Sequence, residues 1–128
     1  SHAAAFGTEP DFSPGFGGVP FADDAQDLTF AKDIARGIVL VQHADKLDHQ
    51  TYNIGSGRAT SNREFLDAVK SAKPSVGITI QDGLSPRAKP NNYADITRIK
   101  TELGYEPRYT TERAIDEYIA WFEAGNLQ

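Results

Sequence analysis

The segment Ser85-Pro86-Arg87-Ala88-Lys89-Pro90-Asn91-Asn92-Tyr93 holds the densest set of groups able to grip an anion. Arg87 presents a planar fork of N–H donors that matches two oxygens of a carboxylate or phosphate at once. Lys89 adds a looser point charge, Asn91 and Asn92 add amides, and Tyr93 adds an aromatic ring. The plainer role for Arg87 is pairing with an acid on the surface. Two glycine clusters raise a phosphate-loop reading. Gly15-Phe16-Gly17-Gly18 neither follows a strand nor opens a helix, so it fails the dinucleotide fingerprint. Asn53-Ile54-Gly55-Ser56-Gly57-Arg58 follows a β-forming run and precedes a capped helix, and N–H groups there suit an anion. It lacks the Lys-Ser/Thr of a nucleotide P-loop, and a tight turn with positive φ accounts for its glycines more simply.

Other chemistry is thin. His2, His43 and His49 lack metal-ligand spacing, and no His-Glu-x-x-His or Gly-x-Ser-x-Gly occurs. A triad of Ser56, His43 and Asp33 rests on nothing but composition. The pairs Asp23-Asp24 and Asp116-Glu117 read as solvated. No catalytic residue and no metal ligand is assigned.

The elements that must position these groups follow from composition and pattern. The chain has 128 residues, a net charge of −5, 39% apolar content and no cysteine. That length fits one domain with a real core. The acidic balance argues against nucleic acid as a partner, and zero cysteines exclude disulfides and a thiolate nucleophile. No run of eighteen apolar residues and no leader-like start is present, so no membrane partner and a cytoplasmic setting are expected. Residues 7–20 read as an irregular loop whose phenylalanines (Phe6, Phe12, Phe16, with Phe21 beyond) pack onto something. Short strands are predicted over 26–30, 51–54 and 76–80. Asp33 is a candidate N-cap for a helix carrying Ile34, Ala35, Ile38, Val39 and Val41, whose end should be deeply buried. Ser61-Asn62-Arg63-Glu64 is a capping box for the next helix. Asp95 caps a two-turn helix that Gly104 stops. Thr110 or Thr111 caps a last helix with Ala114, Ile115, Tyr118, Ile119 and Phe122 on one face, ended by Gly125. The class is α/β or α+β.

The order of these blocks carries a resemblance. Gln26-Asp27-Leu28-Thr29-Phe30-Ala31-Lys32-Asp33-Ile34-Ala35-Arg36-Gly37 comes first, then Thr51-Tyr52-Asn53-Ile54-Gly55-Ser56-Gly57 and Thr60-Ser61-Asn62-Arg63-Glu64-Phe65. Pro86-Arg87, Tyr93-Ala94-Asp95-Ile96-Thr97-Arg98-Ile99-Lys100 and Leu103-Gly104-Tyr105-Glu106-Pro107 follow, and a final helix ends at Trp121. Together they resemble the C-terminal part of the extended short-chain dehydrogenase/reductases, the NAD-dependent epimerase/dehydratase family. The resemblance implies an α/β fold, with residues 1–128 as a single partial domain: the C-terminal substrate-binding lobe of a Rossmann-type enzyme. The family's Gly-rich cofactor turn and Tyr-x-x-x-Lys pair are not found. Tyr52, Tyr93, Tyr105, Tyr109 and Tyr118 are followed four residues on by Ser56, Thr97, Tyr109, Arg113 and Phe122, never by Lys.

The resemblance therefore implies that NAD or NADP serves an intact parent enzyme, while this fragment alone binds no cofactor and is not catalytic. Arg87 matches an arginine that grips the pyrophosphate in many nucleotide-sugar members. Gln26 stands where such members often carry a second phosphate-binding arginine, Phe30 where they often show His, and Ala4 where an Asn is common. Arg87, Lys89, Tyr93 and Gln26 are the expected substrate contacts. The expected partners are a sugar-like small molecule, nucleotide-linked or simpler, and the missing Rossmann portion of the same protein. Self-association through an apolar face shared by the loop phenylalanines and the Ile34–Val41 helix is also expected. The alternative is a free-standing, non-catalytic module that binds a small ligand or a protein.

Overall fold

The computed structural model describes residues 19–86, 88–90 and 92–126. Ala4, Phe6, Phe12, Phe16, the first glycine cluster, Arg87 and Asn91 lie outside the described residues. The elements in chain order are β1 (Ala25–Gln26), α1 (Ala31–Gln42), β2 (Thr60–Ser61), α2 (Asn62–Ala72), α3 (Thr97–Leu103) and α4 (Thr111–Glu123). β1 pairs with β2 in a two-stranded sheet. The chain divides into two compact units, each assembled from separated stretches: Ser1–Ala25, Thr60–Lys89 and Thr110–Gln128 form one, Gln26–Ala59 and Pro90–Tyr109 the other.

The first unit is built on α2 against α4. Both helices begin as their caps predict. Ser61 Oγ accepts the Glu64 N–H at 3.1 Å, and Thr110 Oγ1 accepts the Arg113 N–H at 3.3 Å, each satisfying a donor that the first turn leaves unpaired. Leu66, Ala68 and Val69 of α2 and Ile115, Ile119 and Phe122 of α4 are buried, so the helical spacing turns one apolar stripe of each helix inward. Ala68, Val69, Ile115 and Ile119 form a core cluster on which Phe65, Ala72 and Val76 pack. Each large side chain withdrawn from water contributes about 1.5–3 kcal/mol. Thr111 Oγ1 also donates to Glu64 Oε1 at 3.1 Å, a polar tie between the two helices.

The predicted strand over 76–80 is not formed. Val76, Ile78 and Ile80 are half-buried while Gly77 and Thr79 are exposed, so the period of two is real. Its ladder is reduced to one parallel bridge further on, Phe21 with Gln81. There the Gln81 N–H donates to Pro20 C=O at 3.0 Å, and Gln81 C=O accepts the Ala22 N–H at 2.7 Å.

The second unit packs α1 with α3 around two wholly buried side chains, Ile99 and Tyr105. Gly104 closes α3 in the left-handed conformation, φ 64°, as the sequence predicts. Asp95 Oδ1 accepts the Thr97 N–H at 2.9 Å, one residue ahead of the cap position, which Ile96 occupies. Two expectations for α1 are corrected. Its N-cap is Phe30, and Asp33 sits inside the first turn. The Asp33 carboxylate, 2% exposed as a residue, instead accepts the Arg108 N–H on both oxygens and the Tyr109 N–H on one, all at 3.0 Å. The end of α1 is not deeply buried: Ile38 and Val39 are 52% and 51% exposed. With Ile34, also exposed, they form an uncovered apolar row, consistent with the expectation that part of this helix shows such a face.

The strand predicted over 26–30 is confined to Gln26, the second residue of β1, and that over 51–54 is absent. Hydrogen bonds to α3 and its approach hold the second of these instead. Arg98 Nη1 donates to Thr51 C=O at 2.7 Å, Asn53 Nδ2 to Asp95 C=O at 3.0 Å, and the Tyr52 hydroxyl to Glu102 Oε2 at 2.6 Å. His49 Nδ1 lies 2.6 Å from the other Glu102 oxygen.

Candidate functional site

Of the four predicted contact residues, Arg87 falls outside the described residues. Lys89 belongs to the first unit and is exposed. Gln26 and Tyr93 belong to the second unit, and both are exposed. The structure ties the last two to a common anchor, Asp27. Its Oδ1 accepts the Thr29 hydroxyl at 2.8 Å, the Ser56 N–H at 2.9 Å and the Ser56 hydroxyl at 2.6 Å. Its Oδ2 accepts the Ala94 N–H at 3.0 Å. Gln26 precedes Asp27 and Tyr93 precedes Ala94, so one carboxylate fixes the backbone beside each. Sequence reading assigned no role to Asp27. The signal available was an acid beside a candidate contact residue with Thr two positions on; nothing local pointed to Ala94, 67 positions away.

Burial works to raise the Asp27 pKa, but the hydrogen bonds from Ser56, Ala94 and Thr29 outweigh it and hold the carboxyl below the usual range. Asp27 is therefore an anion at neutral pH with both oxygens hydrogen-bonded. Tyr105 supports the same turn from beneath, donating its hydroxyl to Gly55 C=O at 3.0 Å. Burial, with the Asp33 charge, pushes that hydroxyl above its ordinary value, so it stays a neutral donor.

The Gly55-Ser56-Gly57 turn answers the phosphate-loop question. A Cβ on Gly55 would stand 2.6 Å from Asp27 Oδ2 and 3.1 Å from Ala94 Cβ; one on Gly57 would stand 2.8 Å from Ile96 Cδ1. The space a phosphate would enter is filled by the protein's own side chains. The Ser56 N–H that would meet it is spent on a carboxylate, whose charge repels an anion. These residues do not fit a dinucleotide pyrophosphate. They form a tight turn, with Gly57 at φ 73°.

Among the described residues no cluster of three His, Asp or Glu is placed to hold a metal ion, and no helix is long and apolar enough to cross a membrane. A cleft of about 250 Å³ is lined by Thr51, Asn53, Asp95 and Arg98. Gln26, Lys89 and Tyr93 do not line it.

No protein-family model matches the chain. UDP-glucose 4-epimerase of Bifidobacterium longum is 26% identical over 107 residues, 80% of this chain and 30% of the epimerase. dTDP-glucose 4,6-dehydratase of an Actinoplanes species is 28% identical over 101 residues, 78% of this chain and 31% of that enzyme. The chain's relatives are NAD-dependent epimerases and dehydratases of the extended short-chain dehydrogenase/reductase family. It spans about 30% of their length. The fold agrees with that family. Bordetella bronchiseptica WbmF, solved with NAD+ and UDP, superposes with a TM-score of 0.71 at 18% identity, covering 97% of this chain and 34% of that one. At such identity the likeness speaks for the fold alone, which is that of Rossmann-type epimerases in part.

Proposed function

We propose that residues 1–128 are the substrate-recognition part of an NAD(P)-dependent epimerase, dehydratase or reductase acting on a nucleotide sugar or a related sugar. The observation that carries this is the alignment of four fifths of the chain with a UDP-glucose 4-epimerase more than three times the length of the aligned segment. In this reading the remainder of the enzyme brings the nicotinamide, which accepts and returns a hydride, and the acid–base tyrosine. The apolar row of Ile34, Ile38 and Val39 then faces either that remainder or a second copy. The present residues bind and orient. Arg87 clamps two diphosphate oxygens through its fork, Lys89 adds charge, Tyr93 offers a ring face and a hydroxyl, and Gln26 supplies a neutral amide. With glutamine at 26 in place of a cation, Arg87 carries most of the charge-assisted binding.

Titration of the 128-residue chain with UDP, followed residue by residue by NMR, tests this. Shifts are expected at Gln26 and across 87–93, and Arg87→Gln should weaken binding at least tenfold, since one charge-assisted contact is worth about 1.5–3 kcal/mol. UDP that leaves these residues unmoved refutes the reading. A tight complex of the same chain with NAD+ refutes the division of labour.

A further inference from the structure

We infer that Asp27 is the positioning residue of the ligand site, setting the register of Gln26 against Tyr93; this rests on the function proposed above. Three stretches of chain meet at its carboxylate: 26–29, 55–57 and 93–95. Apart from Gln26, at the end of a two-residue strand, none of them lies in a helix or a strand. Segments of this kind normally drift, because no backbone ladder fixes their spacing. Here the spacing is set by one side chain that accepts four hydrogen bonds at 2.6–3.0 Å. The packing is close enough to exclude a methyl group: a Cβ at Gly55 would meet both the Asp27 carboxylate and Ala94. Asp27 does not reach the ligand. Both its oxygens are already bonded within the protein, and its charge has the wrong sign for a phosphate. It acts through its neighbours, one peptide bond away on each side: Gln26 rides on Asp27 itself, and Tyr93 rides on the Ala94 N–H that Asp27 holds.

Asp27→Asn keeps the shape but replaces one acceptor oxygen with a donor that opposes either Ala94 or Ser56. Amide hydrogen exchange on the 128-residue chain should accelerate at least tenfold at Ser56 and Ala94, with Val69 and Ile119 of the first unit unchanged. The UDP dissociation constant should rise at least tenfold. The deciding measurement is a thermodynamic cycle with Gln26→Ala plus Tyr93→Ala. If Asp27 acts through those two residues, adding Asp27→Asn to that pair costs little further affinity. Additive losses overturn the inference and leave Asp27 a residue of the fold. Unchanged exchange at Ala94 overturns it as well. Exchange that accelerates in a chain whose wild type ignores UDP sinks the proposed function, and the positioning role falls with it. Should Asp27→Asn fail to fold, Ser56→Ala removes one of the four bonds and should show the same pattern at about threefold.

Discussion

Asp33→Ala tests whether the second unit is held by a buried charge where the sequence suggested only a helix cap. The native carboxylate accepts two backbone N–H groups, of Arg108 and Tyr109, at 3.0 Å, and Arg36 Nη2 stands 3.5 Å away. Alanine leaves both N–H groups without this acceptor and deprives Arg36 of its anion. A donor stripped of its partner in a buried site costs about 1–3 kcal/mol. Arg108 is exposed and Tyr109 half-buried, so water recovers part of the loss. A net destabilisation of about 3 kcal/mol follows, or a fall in Tm of about 10 °C for a chain of this size. Urea unfolding followed by circular dichroism measures it, and amide exchange at Arg108 and Tyr109 localises it. If Asp33 were merely a solvated cap, the cost would be about 1 kcal/mol and exchange at 108–109 would not change. A midpoint within about 0.5 kcal/mol of wild type refutes the reasoning outright.

Two further outcomes follow from the same unit. Gly37→Ala places a methyl group 2.6 Å from Ile54 Cγ2 and 3.2 Å from Tyr105 Cε2. Overpacking of about 1–3 kcal/mol then outweighs the helix-propensity gain of about 1 kcal/mol, so equilibrium unfolding should show a net loss rather than the gain expected at an exposed glycine. Asp27 has a folded pKa below its unfolded value near 3.9, so the unfolded chain binds the proton more readily and the contribution of Asp27 to stability disappears as acid is added. The stability gap between wild type and Asp27→Asn should be constant from pH 7 to about pH 5 and shrink below about pH 4. A gap that widens on acidification contradicts the assignment.

The helices were readable because what starts and stops a helix is local. Ser61, Thr110 and Gly104 each act within five residues of their own position. The strands were not, because a strand exists only through a partner. Thr51–Ile54 has β-forming residues, yet its neighbours are α3 and the segment before it, where the Arg98 side chain donates to Thr51 C=O and the Asp95 carbonyl accepts from the Asn53 side chain. Val76–Ile80 alternates correctly and still pairs only beyond its end, at Gln81. Asp33 shows the same limit for a single side chain. Its position before an apolar series fits a cap, but its strongest partners lie 75 and 76 residues on. Asp27 is the counterpart at the candidate site: Thr29 was within reach of local reasoning, while Ser56 and Ala94 were not. Of the glycine pair, Gly57 has the positive φ that the turn reading predicts, whereas Gly55 does not and is required instead by the closeness of Asp27 and Ala94.

The polypeptide passes from one compact unit to the other after Ala25, Ala59, Lys89 and Tyr109. Neither unit is an uninterrupted ribbon that a gene truncation could lift out whole. A stop codon introduced near residue 60 deprives the first unit of both core helices and the second of α3 and Tyr105 together, so halves produced separately should stay unfolded until mixed. For anyone dividing this protein into reporter fragments, the productive pieces are complementary and non-native in length, and their reassembly is itself a readout of folding.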